Sequence, residues 1–155
     1  MTILIGVLCK DGVVVGTDSS ATFVAGGFGT IEQPTKKIDI IDEKIIVAGT
    51  GQVGLGQRFS YQIKKAWSEN KFKGHQVEIA RKMCELGLSD FTATKVKENQ
   101  YGALVAFPAE KKIHLCEFQV SDFQPELKTE HLWYVSAGSG QRIVDPFLGL
   151  MRKIF

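Results

Sequence analysis

Thr2 follows the initiator methionine directly. With Met1 removed it becomes an N-terminal threonine, which carries a hydroxyl nucleophile and an α-amine on one carbon skeleton. An α-amine has an ordinary pKa of about 7.7–8.0, so near neutral pH it can take up the hydroxyl proton. That pair is one form of activated nucleophile. A second-position threonine alone specifies little, and its neighbours give it weight. Asp18 closes the second of two apolar runs folded back on each other at Asp11-Gly12. A two-residue loop there pairs Ile5 with Asp18 and Thr2 with about Ala21, so Asp18 lies near the N-terminus. This register puts Thr2 and Asp18 on opposite faces, and their cooperation requires a bulge or a twist. Lys36-Lys37 opens a further strand. Neighbouring strand residues point to opposite faces. One lysine therefore faces solvent and the other faces inward, where its charge needs a partner such as Asp18. An inward ammonium near the Thr2 hydroxyl lowers the pKa of that hydroxyl. Val47-Ala48-Gly49-Thr50-Gly51 then marks a strand-to-helix transition. Glycine lets a substrate carbonyl approach the main chain, and the N–H groups there are candidates for an oxyanion hole.

The elements that must hold these residues read as strands first and helices later. Thr2–Cys9 and Val13–Asp18 are apolar on both faces, as in strands buried between two layers. Ala21–Gln33 is a Gly-rich excursion, a short hairpin or a loop. Lys36–Ile41 and Lys44–Ala48 are two more strands around an Asp42-Glu43 turn. The period then changes. Leu55, Phe59, Ile63 and Ala66-Trp67 fall three or four apart, and so do Val77, Ala80, Met83-Cys84 and Leu88. The second helix carries Glu78, Arg81, Lys82 and Glu85 on its solvated face. Strands return at Tyr101–Phe107, Ile113–Phe118 and Leu132–Val135. Gly138-Ser139-Gly140 opens a last helical pattern of Ile143, Phe147, Leu150 and Met151. This order predicts an α+β fold of two sheets packed face to face with helices outside, not an alternating parallel fold.

Composition narrows the classes. The 155 residues make about one domain. With 44% hydrophobic and 23% charged residues and a net charge of +2, the chain is neither disordered nor strongly basic, so no nucleic-acid partner is expected. No apolar run reaches the ~20 residues that span a bilayer, and no membrane partner is expected. The apolar start lacks the basic region of a secretory signal. Cys9, Cys84 and Cys116 are scattered, as are His75, His114 and His131. That spacing fits buried thiols in a reducing cytoplasm rather than a disulfide framework or a metal site.

Thr2, Gly6, Asp11-Gly12-Val13-Val14, Thr17-Asp18, Ala21-Thr22, Lys36-Lys37-Ile38 and Ala48-Gly49, in this order and spacing, resemble the proteasome β-type subunits and their HslV-like bacterial homologues. Gly138-Ser139-Gly140 matches a later motif of the same family. Thr17-Asp18-Ser19-Ser20-Ala21-Thr22 stands where HslV-like chains usually read Gly-Asp-Gly-Gln-Ala-Thr. The resemblance implies the N-terminal nucleophile hydrolase fold, a four-layer αββα sandwich over residues 1–155. It implies a threonine endopeptidase that needs no cofactor or metal and cuts unfolded polypeptide inside a homo-oligomeric stacked double ring. An ATP-driven unfoldase is the partner such rings usually have. By resemblance, Thr2 is the nucleophile, Lys37 its lysine and Asp18 the acid that orients that lysine. Gly49 supplies the oxyanion N–H, and Ser139 helps to hold the catalytic amine and its water. Thr22 and Gly51 pair with the substrate as an added strand, and Val47 is a wall of the primary specificity pocket. Set against the family, the chain is expected to be C-terminally incomplete, without a further helix and closing strands.

Three other readings compete. Gly49-Thr50-Gly51-Gln52-Val53-Gly54 fits a dinucleotide-binding fingerprint, with Glu69 some twenty residues on. Glu69, however, falls near the end of a helix and not of a second strand. A silent ring subunit that keeps Met1, and so has no free Thr2 amine, is the second. An amidohydrolase of the same fold acting on small amides is the third.

Overall fold

The computed structural model describes residues 1–25, 28–97 and 100–154, with side chains outside 23–31. Strands β1 (Leu4–Leu8), β2 (Val13–Thr17) and β10 (Tyr134–Ala137) form one antiparallel sheet in the order β10-β1-β2. A second sheet runs β5 (Ile38–Ile41), β6 (Ile45–Gly51), β7 (Tyr101–Ala109), β8 (Lys112–Phe118) and β9 (Pro125–Leu127). Strands β3 (Ser20–Ala25) and β4 (Phe28–Pro34) make a separate hairpin, whose tip lies outside the described residues. Helices α1 (Val53–Ser68) and α2 (Gln76–Ala93) cover the five-stranded sheet, and α3 (Gln141–Ile154) lies against β10.

Two apolar layers hold these elements together. Leu4, Ala48, Leu104, Leu115 and Val135 are buried where the sheets face each other. Gly6 of β1 belongs to the same contact, because a Cβ there would stand 3.0 Å from Leu104 and Leu115. The larger layer lies between the second sheet and α1–α2 and includes Phe59, Ile63, Met83, Val105 and Phe107. Phe59 meets Tyr101, Phe118 and Phe123 edge to face, with ring centroids 6.0, 5.6 and 5.1 Å apart. Such pairs add directional preference to plain burial, and they tie α1 to the strand that starts at Tyr101. The layers therefore run helix, sheet, sheet, helix, as the order of periodicities predicts. Among the described residues no helix is long and apolar enough to cross a membrane.

Several expectations need correction. The β1–β2 ladder pairs Leu4 with Thr17 and Leu8 with Val13. Its turn centres on Lys10-Asp11, and the Cys9 N–H donates to the Gly12 carbonyl at 2.8 Å. Ile5 therefore faces Gly16, not Asp18. β1 begins at Leu4 and β5 at Ile38, so Thr2, Lys36 and Lys37 lie just outside their ladders. β2 is not buried on both faces, since Val14 is exposed. Cys9 is exposed, while Cys84 and Cys116 are buried. α2 buries Ile79, Ala80, Met83, Cys84 and Gly87, a face rotated away from Val77, which is exposed beside the His75–Glu78 capping box. α3 buries Val144, while Ile143, Phe147 and Leu150 point outward. The Gly49–Gly54 run does join β6 to α1, but α1 leads into α2 and the sheet is antiparallel. The βαβ unit that a dinucleotide fingerprint requires is thus absent among the described residues.

Candidate active site

Three ladder registers converge on one place. In the β1–β10 pairing Leu4 faces Ala137, so two steps further Thr2 stands opposite Ser139. In the β1–β2 pairing Leu4 faces Thr17, so one step further Ile3 stands opposite Asp18. In the β5–β6 pairing Ile38 faces Ala48, so one step further Lys37 stands opposite Gly49. Each pair lies one or two residues past the last pair of its ladder.

Main-chain and side-chain hydrogen bonds tie these ladder ends together. The Thr2 amide N–H donates to Ser139 Oγ at 2.9 Å, and the Gly140 N–H donates to the Thr2 carbonyl at 2.9 Å. Gly138 makes this approach possible. It has φ +92°, and a Cβ there would meet the Thr2 main chain. The Ile3 N–H donates to Asp18 Oδ1 at 2.8 Å, and the Ser20 N–H donates to Asp18 Oδ2 at 3.0 Å. Lys37 Nζ donates to both Asp18 oxygens, at 2.8 and 3.0 Å, and to Thr2 Oγ1 at 3.3 Å. The β1–β2 ladder pairs without a bulge from Leu4–Thr17 to Leu8–Val13. Lys37 bridges Thr2 and Asp18 from a third segment.

Burial sorts the two lysines as expected. The Lys37 side chain is 10% exposed and paired with Asp18, whereas that of Lys36 is 76% exposed. Partial burial pushes the Asp18 carboxyl up. The hydrogen bonds from Lys37 and from the Ile3 and Ser20 N–H groups, with the Lys37 charge, outweigh it and hold the carboxyl below its ordinary value. Asp18 is therefore an anion held by donors on three sides, and it fixes the ammonium that faces the Thr2 hydroxyl.

A cavity of about 550 Å³ opens at this cluster, with Thr2, Lys37, Gly49 and Ser139 among its walls. The β5–β6 ladder ends at the Ile38–Ala48 pair, while the β6–β7 ladder continues to Gly51. One edge of Gly49–Gly51 is thus without a ladder partner among the described residues. Thr22 lies on β3, paired with Glu32 of β4, and also lines the cavity. Two strand edges, from β3 and β6, therefore border the same space. An extended chain between them would gain main-chain hydrogen bonds from both.

A family model described as Proteasome subunit matches residues 2–149. The chain belongs to the proteasome subunit family. It is thus a proteasome-type protease subunit. Among solved structures it is similar to the eukaryotic HslV of Trypanosoma brucei, at 15% identity and a TM-score of 0.65. That match covers 90% of this chain and 73% of the other. It is also similar to an Anbu (Gly-1) mutant from Hyphomicrobium sp. strain MC1, at 13% identity and a TM-score of 0.72. There the match covers 94% of this chain and 65% of the other. At such identities these likenesses speak for the fold, the proteasome-type αββα sandwich of the N-terminal nucleophile hydrolases. No curated protein matches the chain.

The remaining residues singled out in the sequence also fall within the proteasome-type cleft. Val47 and Gly51 line the cavity, on the β6 face that looks toward α1. Sequence reasoning missed three others. Met1 lines the cavity, and its ammonium donates to Thr22 Oγ1 at 3.4 Å. Asp39 and Tyr101 line it too. The β5–β6 register of the structure sets Asp39 opposite Val47 and hence on the same face, and no local sequence signal gives that register.

Proposed function

We propose that this chain is a threonine-type endopeptidase subunit acting through Thr2 after Met1 is removed. The observation that carries this reading is the placement of Lys37 Nζ within 3.3 Å of Thr2 Oγ1 while Asp18 holds it from behind. Removal of Met1 turns the Thr2 nitrogen from an amide donor into an amine. The amine takes the hydroxyl proton as Oγ1 attacks the scissile carbonyl carbon. The Lys37 ammonium favours the developing alkoxide. N–H groups on the open Gly49–Gly51 edge, that of Gly49 first, stabilise the tetrahedral oxyanion. The nitrogen of the scissile amide leaves with a proton from the Thr2 ammonium, and an ester on Thr2 remains. Water, deprotonated by the same amine, then hydrolyses the ester and restores the hydroxyl. Ser139, already at the Thr2 nitrogen, holds that amine and the water beside it. Thr22 and Gly51 align the substrate as an added strand, and Val47 bounds the pocket for its side chain.

In this reading the substrate is unfolded polypeptide. The working form is a homo-oligomeric stacked double ring in the cytoplasm, fed by an ATP-dependent unfoldase. Intact-mass measurement with and without a peptide epoxyketone, which reacts with both hydroxyl and amine, tests it. A mass without Met1 and a single adduct that Thr2→Ala abolishes is the expected result. A mass that includes Met1, with no adduct, sinks the catalytic reading. It would favour the second reading, a structural ring subunit. The contact between the Met1 ammonium and Thr22 Oγ1 supports that second reading, because it gives a retained Met1 a place in the cleft.

A further inference from the structure

Cleavage preference in a protease is set where the substrate side chain goes. Beyond Thr2 the cavity runs along the face of β6 that carries Val47, Gly49 and Gly51. Residues two apart on a strand share a face. The registers add Asp39 of β5 beside Val47, and Tyr101 of β7 beside Gly51. The two glycines leave a trough between these larger neighbours. The Tyr101 ring closes its inner end, lying so near Gly49 that a Cβ there would fall 2.6 Å from Cε2. Gly56 of α1 leaves room for the same ring from the other side, with a would-be Cβ at 3.2 Å. The volume, about 550 Å³, lies within the usual range for a ligand pocket of ~300–1,000 Å³.

The charges along this trough are unequal in their commitments. Lys36, Lys37 and Asp39 are the ionised side chains that line it among the described residues. Lys37 is engaged by Asp18 through two hydrogen bonds. Lys36 reaches Asp39 only at 3.6 Å, beyond hydrogen-bond length, from a side chain 76% exposed. Contacts of this kind are weak and screened by salt. Burial, with Asp39 adding to it, raises the Tyr101 phenol and keeps it neutral, so Tyr101 brings no charge of its own. An apolar side chain entering the trough would cover the Asp39 carboxylate without pairing it, which costs free energy. An ammonium or guanidinium would pair it instead.

We infer that this trough holds the substrate side chain preceding the scissile bond and selects a cationic one, lysine or arginine, through the Asp39 carboxylate, with Tyr101 as its inner wall. The inference rests on the proteolytic reading for its place in the reaction. The selection itself can be measured without turnover. The probes are two acetylated tripeptide amides that differ only in ending with arginine or norleucine. They are titrated by NMR into the Thr2→Ala chain, which has no nucleophile. The arginine peptide is expected to bind about tenfold tighter, as a charge-assisted hydrogen bond supplies. Asp39→Asn in the same background should reduce that ratio to about one. Lys36→Met should raise it, because the competing cation is gone and the carboxylate stays. Equal binding of the two peptides before either substitution, or a ratio unchanged by both, overturns the inference. Hydrolysis of the matching fluorogenic peptides by the unsubstituted chain is the separate arm. Discrimination in binding with no hydrolysis of either peptide would sink the proteolytic reading while the trough's selectivity stands. Hydrolysis that favours norleucine would do the reverse.

Discussion

Replacing Lys37 by methionine removes one charge from the cleft and keeps most of the side chain's length. Lys37 Nζ lies 3.3 Å from Thr2 Oγ1. At that distance a unit charge stabilises a developing alkoxide by about 1.3 kcal/mol in water and about 5 kcal/mol at an effective dielectric of ~20. Those bounds correspond to roughly 10-fold and 5,000-fold in rate. The Lys37 side chain is 10% exposed, which favours the upper bound, but Asp18 at 2.8 Å offsets part of its field. An effect near the middle, about 100-fold, is expected. The assay is the rate of epoxyketone adduct formation, followed by intact mass against time. The substitution also strands the Asp18 carboxylate, which keeps only its bonds from the Ile3 and Ser20 N–H groups. A stability loss of about 1–3 kcal/mol should accompany it. Urea titration measures that loss, and labelling is compared well below the unfolding midpoint. Adduct formation by Lys37→Met within about threefold of the parent rate would refute the electrostatic role given to the lysine.

Gly49→Ala should destabilise the chain by about 1–3 kcal/mol, because its Cβ collides with the buried Tyr101 ring. Gly16→Ala, with nothing within 4 Å of its Cβ, is the control, and equal urea midpoints for the two would remove the packing argument. Asp18 has a folded-state pKa below its unfolded value, so its contribution is present at neutral pH and is lost as pH falls through the folded value. The stability gap between parent and Asp18→Asn should hold steady above about pH 5 and narrow below about pH 4. A gap that widened on acidification would contradict the sign. Lys128, whose side chain is 5% exposed, donates to Glu117 and Glu126 at the β8–β9 edge. Lys128→Met leaves those carboxylates facing each other and should cost about 3 kcal/mol in thermal or urea unfolding. A cost below about 0.5 kcal/mol would mean the cluster contributes nothing.

Much of this site was legible because its residues have strict chemical needs. A lysine directed inward must find an acid, and Asp18 was the acid at hand in the sequence. The glycines at 49 and 51 announced a close approach to main chain. What sequence could not supply was register. The Asp11-Gly12 pair carries a strong two-residue turn signal, yet the turn is centred one residue earlier, on Lys10-Asp11. That difference moves every cross-strand partner by two residues and still keeps each on its face, so the apolar pattern could not reveal it. The pairing of β1 with β10 joins segments more than a hundred residues apart, and local pattern says nothing about such contacts. A lone acid in a strand reads as solvated, and only the register of Asp39 with Val47 gives it a wall to belong to. In α3 the helical period of Ile143, Phe147 and Leu150 was legible, but the side it faces was not.

The hydrogen bond from Thr2 to Ser139 spans 137 residues of chain. Long-range closures of this kind come late in folding. On a ribosome adding about 5–20 residues per second, roughly 7–27 seconds pass between synthesis of the first partner and the second. During that interval the N-terminal segment has no Ser139 or Gly140 to bind. Any enzyme that trims the first residue meets an open substrate then, and a docked one afterwards. The proposed removal of Met1, if it occurs, is therefore easiest before Ser139 and Gly140 are made, because the contacts that dock Thr2 are encoded 137 residues downstream.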